Sequence, residues 1–111
     1  MFFYTTNLIS ISFINFEDNN MTDLGSMFKS CFSLISVDFS NFKVENVENM
    51  EDFFMFWSYL KSIDLSNLYT KNLKNATHFF YGCSSLTSIN ISNFLGPNVE
   101  IIDFMNYNCK T

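Results

Sequence analysis

Three kinds of side chain in this chain are able to do chemistry, and their spacing is the first thing to weigh. Three cysteines stand at 31, 83 and 109. Thiols can hold a metal or form disulfides, but metal sites place their ligands in close C-x₂₋₄-C pairs, and there are none here. Cys83 and Cys109 are 26 residues apart and Cys31 is twice that distance from Cys83, with Trp57 at the midpoint. A position that accepts Trp is apolar, so the cysteines are expected to be buried free thiols. His78 is the sole histidine. A general base needs an orienting partner within hydrogen-bond reach, and no Ser-His-acid or Cys-His set is assignable, so it is expected to be solvated. Asp38 and Asp64 recur with the same spacing. Paired carboxylates about 5 Å apart, one strand spacing, could serve a glycosidase or hold calcium. Simple recurrence explains the pair without either role. With only 3 Gly there is no phosphate-binding loop or dinucleotide fingerprint. The chain is therefore expected to be non-enzymatic, with no metal and no cofactor.

The spacing of 26 is the organising fact. Leu8 to Phe16, Leu34 to Phe42, Leu60 to Leu68 and Leu86 to Phe94 align without insertion as L-x-S-[IV]-x-[FLI]-[SI]-N-[FL], each offset from the last by 26 residues. Met27-Phe28, Phe53-Phe54 and Phe79-Phe80 keep the same register, as do Met21, Val47, Leu73 and Val99. The chain reads as one repeat domain, 1–111, with units of roughly 1–20 (partial), 21–46, 47–72, 73–98 and 99–111 (partial). One such unit cannot bury its apolar side alone, so neighbours must stack.

In each unit the Leu34-x-x-Val37-x-Phe39 stretch alternates like a half-buried strand. The following segment has the helical spacing Val47, Met50, Phe54. Short helices are therefore expected at roughly 22–29, 48–56, 74–81 and 100–106, with Asn46 and Asn72 as caps. The fold expected is an α/β repeat: a leucine-rich-repeat-like solenoid of about four units, with a parallel β-sheet on one side and short helices on the other. Asn15, Asn41, Asn67 and Asn93 follow the strands and are expected to form a buried ladder that satisfies backbone groups in the turns.

Ser36, Asp38 and Ser40, then Ser62, Asp64 and Ser66, then Ser88, Asn90 and Ser92 point outward from the strands and form the candidate binding face, able to accept hydrogen bonds from sugars or peptides. Tyr59, Tyr69, Tyr81 and Tyr107 lie off the repeat as candidate hot spots. Sequons occur at Asn20, Asn75 and Asn90. A net charge of −5 with 6 basic residues argues against nucleic acid. No run approaches the roughly 20 apolar residues of a membrane span, and 1–16 lacks a signal peptide's basic start and cleavage site. Because the chain opens inside a unit and stops at Cys109 before a strand, a longer array or end-to-end association is expected.

The unit Val47-Glu48-Asn49-Met50 through Phe53, Trp57, Leu60 and Ser62-Ile63-Asp64-Leu65-Ser66-Asn67 resembles the BspA-type leucine-rich repeats, the group also described as a mycoplasma-type lipoprotein repeat. The resemblance covers essentially the whole chain. Trp57 stands where that family prefers Cys, the Gly-Cys-Ser-Ser-Leu run is intact only at 82–86, and the family's Phe-Asp-Thr-Ser is missing. What the resemblance implies is a cell-surface or secreted protein used in adhesion, with a protein or glycan ligand. The alternatives are a passive spacer, an intracellular interaction scaffold and, last, a glycan-acting enzyme.

Overall fold

The structure, a computed structural model, describes residues 10–13 and 15–90. Its strands are β1 (Ser10–Ser12), β2 (Phe16–Glu17), β3 (Ser36–Asp38), β4 (Phe42–Lys43), β5 (Ser62–Asp64) and β6 (Ser88–Asn90). They pair in parallel as β1–β3, β2–β4 and β5–β6. Each pairing joins residues 26 apart, such as Ser10 with Ser36 and Ile63 with Ile89. The repeat found in the sequence is thus the physical register: one turn of chain lies on the next, position for position.

The other half of each unit departs from expectation. Among the described residues there is no helix, and the strands form small two-stranded sheets that do not close into one solenoid sheet. The α/β repeat with strands on one side and helices on the other is therefore incorrect. Where helices were expected at 22–29, 48–56 and 74–81, the chain makes a succession of tight turns; the fourth, at 100–106, lies outside the described residues. In the first, the N–H groups of Met27, Lys29 and Cys31 donate to carbonyls three residues back, at 3.1–3.3 Å. The N–H groups between them, on Leu24, Ser26, Phe28 and Ser30, donate instead across to Asn49, Glu51, Phe53 and Met55 of the next coil, at 2.8–3.2 Å. Met50, Asp52, Phe54 and Phe56 repeat this toward Asn75, Thr77, Phe79 and Tyr81. An α-helix would keep all of these donors to itself. Here half of them bind one coil to another, which makes the turn segment a second ladder.

The turns need left-handed backbone at fixed places, and Ser26, Asp52 and His78 supply it at one position while Ser30, Phe56 and Gly82 supply it four residues later. Only Gly82 does so without a Cβ penalty. Asparagine-type side chains fix the entry: Oδ1 of Asp23, Asn49 and Asn75 accepts the N–H two residues on, from Gly25, Glu51 and Thr77. Asn49 Nδ2 also donates to Asp23 Oδ1 of the preceding coil at 2.9 Å. Asn46 and Asn72 cap no helix; they join coils through Asn46 Nδ2 to Asn19 O and Asn72 Nδ2 to Asn46 Oδ1.

Between the two ladders runs an aromatic core. Phe28, Phe54 and Phe80 stack ring on ring at 5.9 and 5.7 Å, and Phe53 stacks on Phe79 at 5.5 Å. Such pairs contribute about 0.5–1.5 kcal/mol each beyond burial. Trp57 is fully buried in the column it shares with Cys31 and Cys83, both buried free thiols as expected. Trp57 Nε1 donates to Phe28 O at 2.6 Å, and Cys83 Sγ donates to Phe54 O at 3.2 Å. Donor and acceptor are 29 residues apart in both cases. This explains the substitution of Trp for Cys: the slot wants an apolar side chain carrying one hydrogen-bond donor, and both residues provide it.

Candidate functional site

Short strands held in parallel register present one side chain per coil at each position. On the outward side the positions are polar. Ser36, Asp38, Ser40, Ser62, Asp64, Ser88 and Asn90 are exposed and Ser66 is half-buried, while Ser92 lies outside the described residues. Register places Ser36 beside Ser10, Asp38 beside Ser12, Ser62 beside Ser88 and Asp64 beside Asn90. Asp38 and Asp64 each bond to the turn that follows their strand. Oδ1 of each accepts the N–H of the serine two residues on, Ser40 and Ser66, at 2.9 Å. Hydrogen bonds from the Ser40 backbone and side chain hold the Asp38 carboxyl below its ordinary pKa; the Ser66 side chain and backbone do the same for Asp64. Both therefore stay ionised and close the turn after the strand.

Past that turn lies a groove that repeats with the chain. Asn15, Phe16, Glu17, Asn41 and Lys43 enclose about 220 Å³. One coil further on, Ser40, Phe42, Lys43, Glu45, Asn67 and Tyr69 enclose about 200 Å³. Phe16 and Phe42, Glu17 and Lys43, Asn41 and Asn67, and Lys43 and Tyr69 are each 26 apart, so these are successive stretches of one feature with Lys43 common to both. The short β2–β4 pairing positions it, with the Phe16 and Phe42 rings stacked at 4.9 Å beneath. The asparagines expected to be buried are in fact exposed here at Asn15, Asn41 and Asn67; Asn93 lies outside the described residues. Tyr69 is 60% exposed on the groove wall. Of the other tyrosines, Tyr59 is exposed elsewhere, Tyr81 is half-buried, and Tyr107 lies outside the described residues.

A charged cluster escaped the sequence reading. Asp52 Oδ2 accepts from Lys29 Nζ at 2.8 Å. Its Oδ1 is buried, makes no hydrogen bond, and lies 3.3 Å from His78 Nδ1, an ion-pair distance once the imidazole is protonated. Glu51, Asp52 and His78 place one donor atom each within 4.8 Å of one another, the geometry a cation would need. The Lys29 ammonium already sits against Asp52 and opposes a second positive charge there. Asp52 and His78 share a repeat position, and that shared column was the signal available in the sequence. Lys29 occupies a different one, so its approach could be seen only in three dimensions.

Of the sequons, Asn20 and Asn90 are exposed, whereas Asn75 is half-buried with its Oδ1 taken by the Thr77 N–H and hydroxyl. Among the described residues no helix is long and apolar enough to cross a membrane. Searches of the curated proteins and of the solved structures found no match. A family match does exist and spans residues 1–111. A 26-residue unit, repeated in register and matched from the first residue to the last, places this chain in the family described as Mycoplasma protein of unknown function, DUF285.

Proposed function

We propose that the chain is a non-catalytic binding module of a cell-surface repeat array of the BspA type, recognising protein or glycan through its outward polar face. One observation carries the reading. Ser62 pairs in register with Ser88 on β5 and β6, and Ser36 pairs in register with Ser10 on β3 and β1, so small, exposed hydrogen-bonding groups recur from coil to coil on strands rather than on mobile loops. A preorganised row of this kind loses little conformational entropy on binding. Catalysis has less support. The two aspartates of the face are engaged in turn closure, and the cluster at Asp52 carries its own cation. Membership of a Mycoplasma repeat family supports a surface location.

The test is binding of the purified chain to host epithelial cells, read by flow cytometry. Beside it runs a variant carrying Ser36→Lys, Ser62→Lys and Ser88→Lys, which changes the face and leaves the turn bonds alone. A specific binder should weaken at least tenfold, about 1.4 kcal/mol. Equal binding by both forms, or none by either, would leave a passive spacer as the reading.

A further inference from the structure

We propose that the groove past the strands is a track for a neutral, extended glycan chain lying along the stack, with the asparagine amides on its hydroxyls and Tyr69 against a ring face. This deepens the binding-module reading and rests on it. The recurring asparagine is the starting point. At Asn15 the backbone is left-handed, at φ 53°, which asparagine tolerates better than most residues. Asn41 and Asn67 have no such conformation, and their amides hold no hydrogen bond among the described residues. Both are exposed in the groove. Among the described residues the fold makes no use of these two amides, yet the repeat keeps them.

An amide both donates and accepts, as a sugar hydroxyl does. Where successive coils pair along the groove, at Phe16 with Phe42 and Glu17 with Lys43, they stand about 4.8 Å apart, the spacing of paired strands. A peptide lying along the stack rises about 3.3 Å per residue, so its same-side groups recur at about 6.6 Å and fall out of step. The interval is instead close to the length of one pyranose unit in an extended chain. Charge narrows the class further. Glu17 and Lys43 line one stretch and Lys43 and Glu45 the next, and Glu45 pairs with Lys71 at 3.5 Å. Mixed signs give no cationic run for an anionic polymer. Tyr69 offers an exposed aromatic face of the kind on which the C–H groups of a sugar ring pack.

The test is affinity electrophoresis of the chain in native gels containing hydroxyethyl cellulose, glycol chitin, mannan or heparin. Retardation by at least one of the three neutral polysaccharides is expected. It should weaken about tenfold in the Asn41→Ala, Asn67→Ala, Tyr69→Ala variant, and also in Asn41→Asp, Asn67→Asp, which keeps side-chain size. A Lys74→Gln variant, outside both the groove and the serine row, serves as an unaffected control. No retardation by any neutral polysaccharide, retardation by heparin alone, or retardation indifferent to the asparagine and tyrosine changes would each overturn the track. Cell binding that persists in any of those cases would keep the binding-module reading. Polysaccharide retardation without cell binding would support the track and remove the adhesion reading.

Discussion

Trp57 offers the sharpest check on how the core is held, because its column separates volume from hydrogen bonding. The indole is wholly buried, packs edge-on to Phe54 at 4.7 Å and Phe28 at 5.7 Å, and gives its N–H to the Phe28 carbonyl. Trp57→Ala empties the slot and should cost about 3–5 kcal/mol. Against a total of about 5–15 kcal/mol for a domain, that is a large share. Trp57→Phe keeps most of the volume and loses the donor. The Phe28 carbonyl retains the Cys31 N–H at 3.3 Å, so the loss should be about 1–2 kcal/mol. Trp57→Cys restores the residue found one coil away on either side, with its thiol donor, but leaves a void among rings spaced for an indole. It should cost about 3 kcal/mol, between the other two. Urea denaturation followed by far-UV circular dichroism gives all three values, since the signal survives loss of the tryptophan. Were Phe to cost as much as Ala, or Cys less than Phe, the account of the slot as volume plus one donor would be wrong.

Other expectations follow from single contacts. At Gly82 the backbone has φ +76° and an added Cβ would lie 2.5 Å from Phe56 Cδ1, so Gly82→Ala should lower stability by about 1–3 kcal/mol in the same denaturation assay. Gly25→Ala, which lacks that backbone strain, should cost less. Lys29→Met leaves the mostly buried Asp52 carboxylate without its ammonium and should cost about 1–2 kcal/mol; a double-mutant cycle with Asp52→Asn should show most of that loss recovered. Asp38 and Asp64 are held below their ordinary pKa of 3.8 in the folded chain. Their contribution is thus present above that value and is lost as pH falls below it through the folded pKa. The melting temperature should drop in that window, and Asp38→Asn with Asp64→Asn should flatten the drop.

The parts legible in the sequence were those that depend on translation along the stack. The interval of 26 predicts the pairing of Ser10 with Ser36 and Ile63 with Ile89 directly. The Trp among cysteines marks an apolar column. Helices were read into the other half for a physical reason. Leu24, Met27, Phe28, Cys31 and Leu34 are all buried, at spacings of three and four, which is a helical stripe. Turns closed by bonds to the third residue back advance the buried face at nearly the same pace. Side-chain periodicity reports which face is inside; it does not report whether the intervening N–H groups bond within the segment or across to the next coil. The asparagines misled for a related reason. The residues that bond coil to coil are Asn46, Asn49 and Asn72, while the more regular series at 15, 41 and 67 faces the groove. Recurrence alone does not distinguish a residue that the backbone needs from one that a surface displays.

The cross-coil bonds of the turn segments also govern curvature. Helices packed side by side sit about 8–10 Å apart, whereas paired strands sit about 4.8 Å apart, so an array with one of each on its two sides is wedge-shaped and bends. In this chain the turn segments are joined coil to coil by direct N–H to carbonyl bonds, as paired strands are, so among the described residues the wider helix spacing that drives such a wedge is absent. Adding units by duplication would then lengthen the stack by about 4.8 Å per 26 residues, its faces turning gradually with the twist that paired strands carry. Reach becomes a linear function of copy number, set by gene length alone.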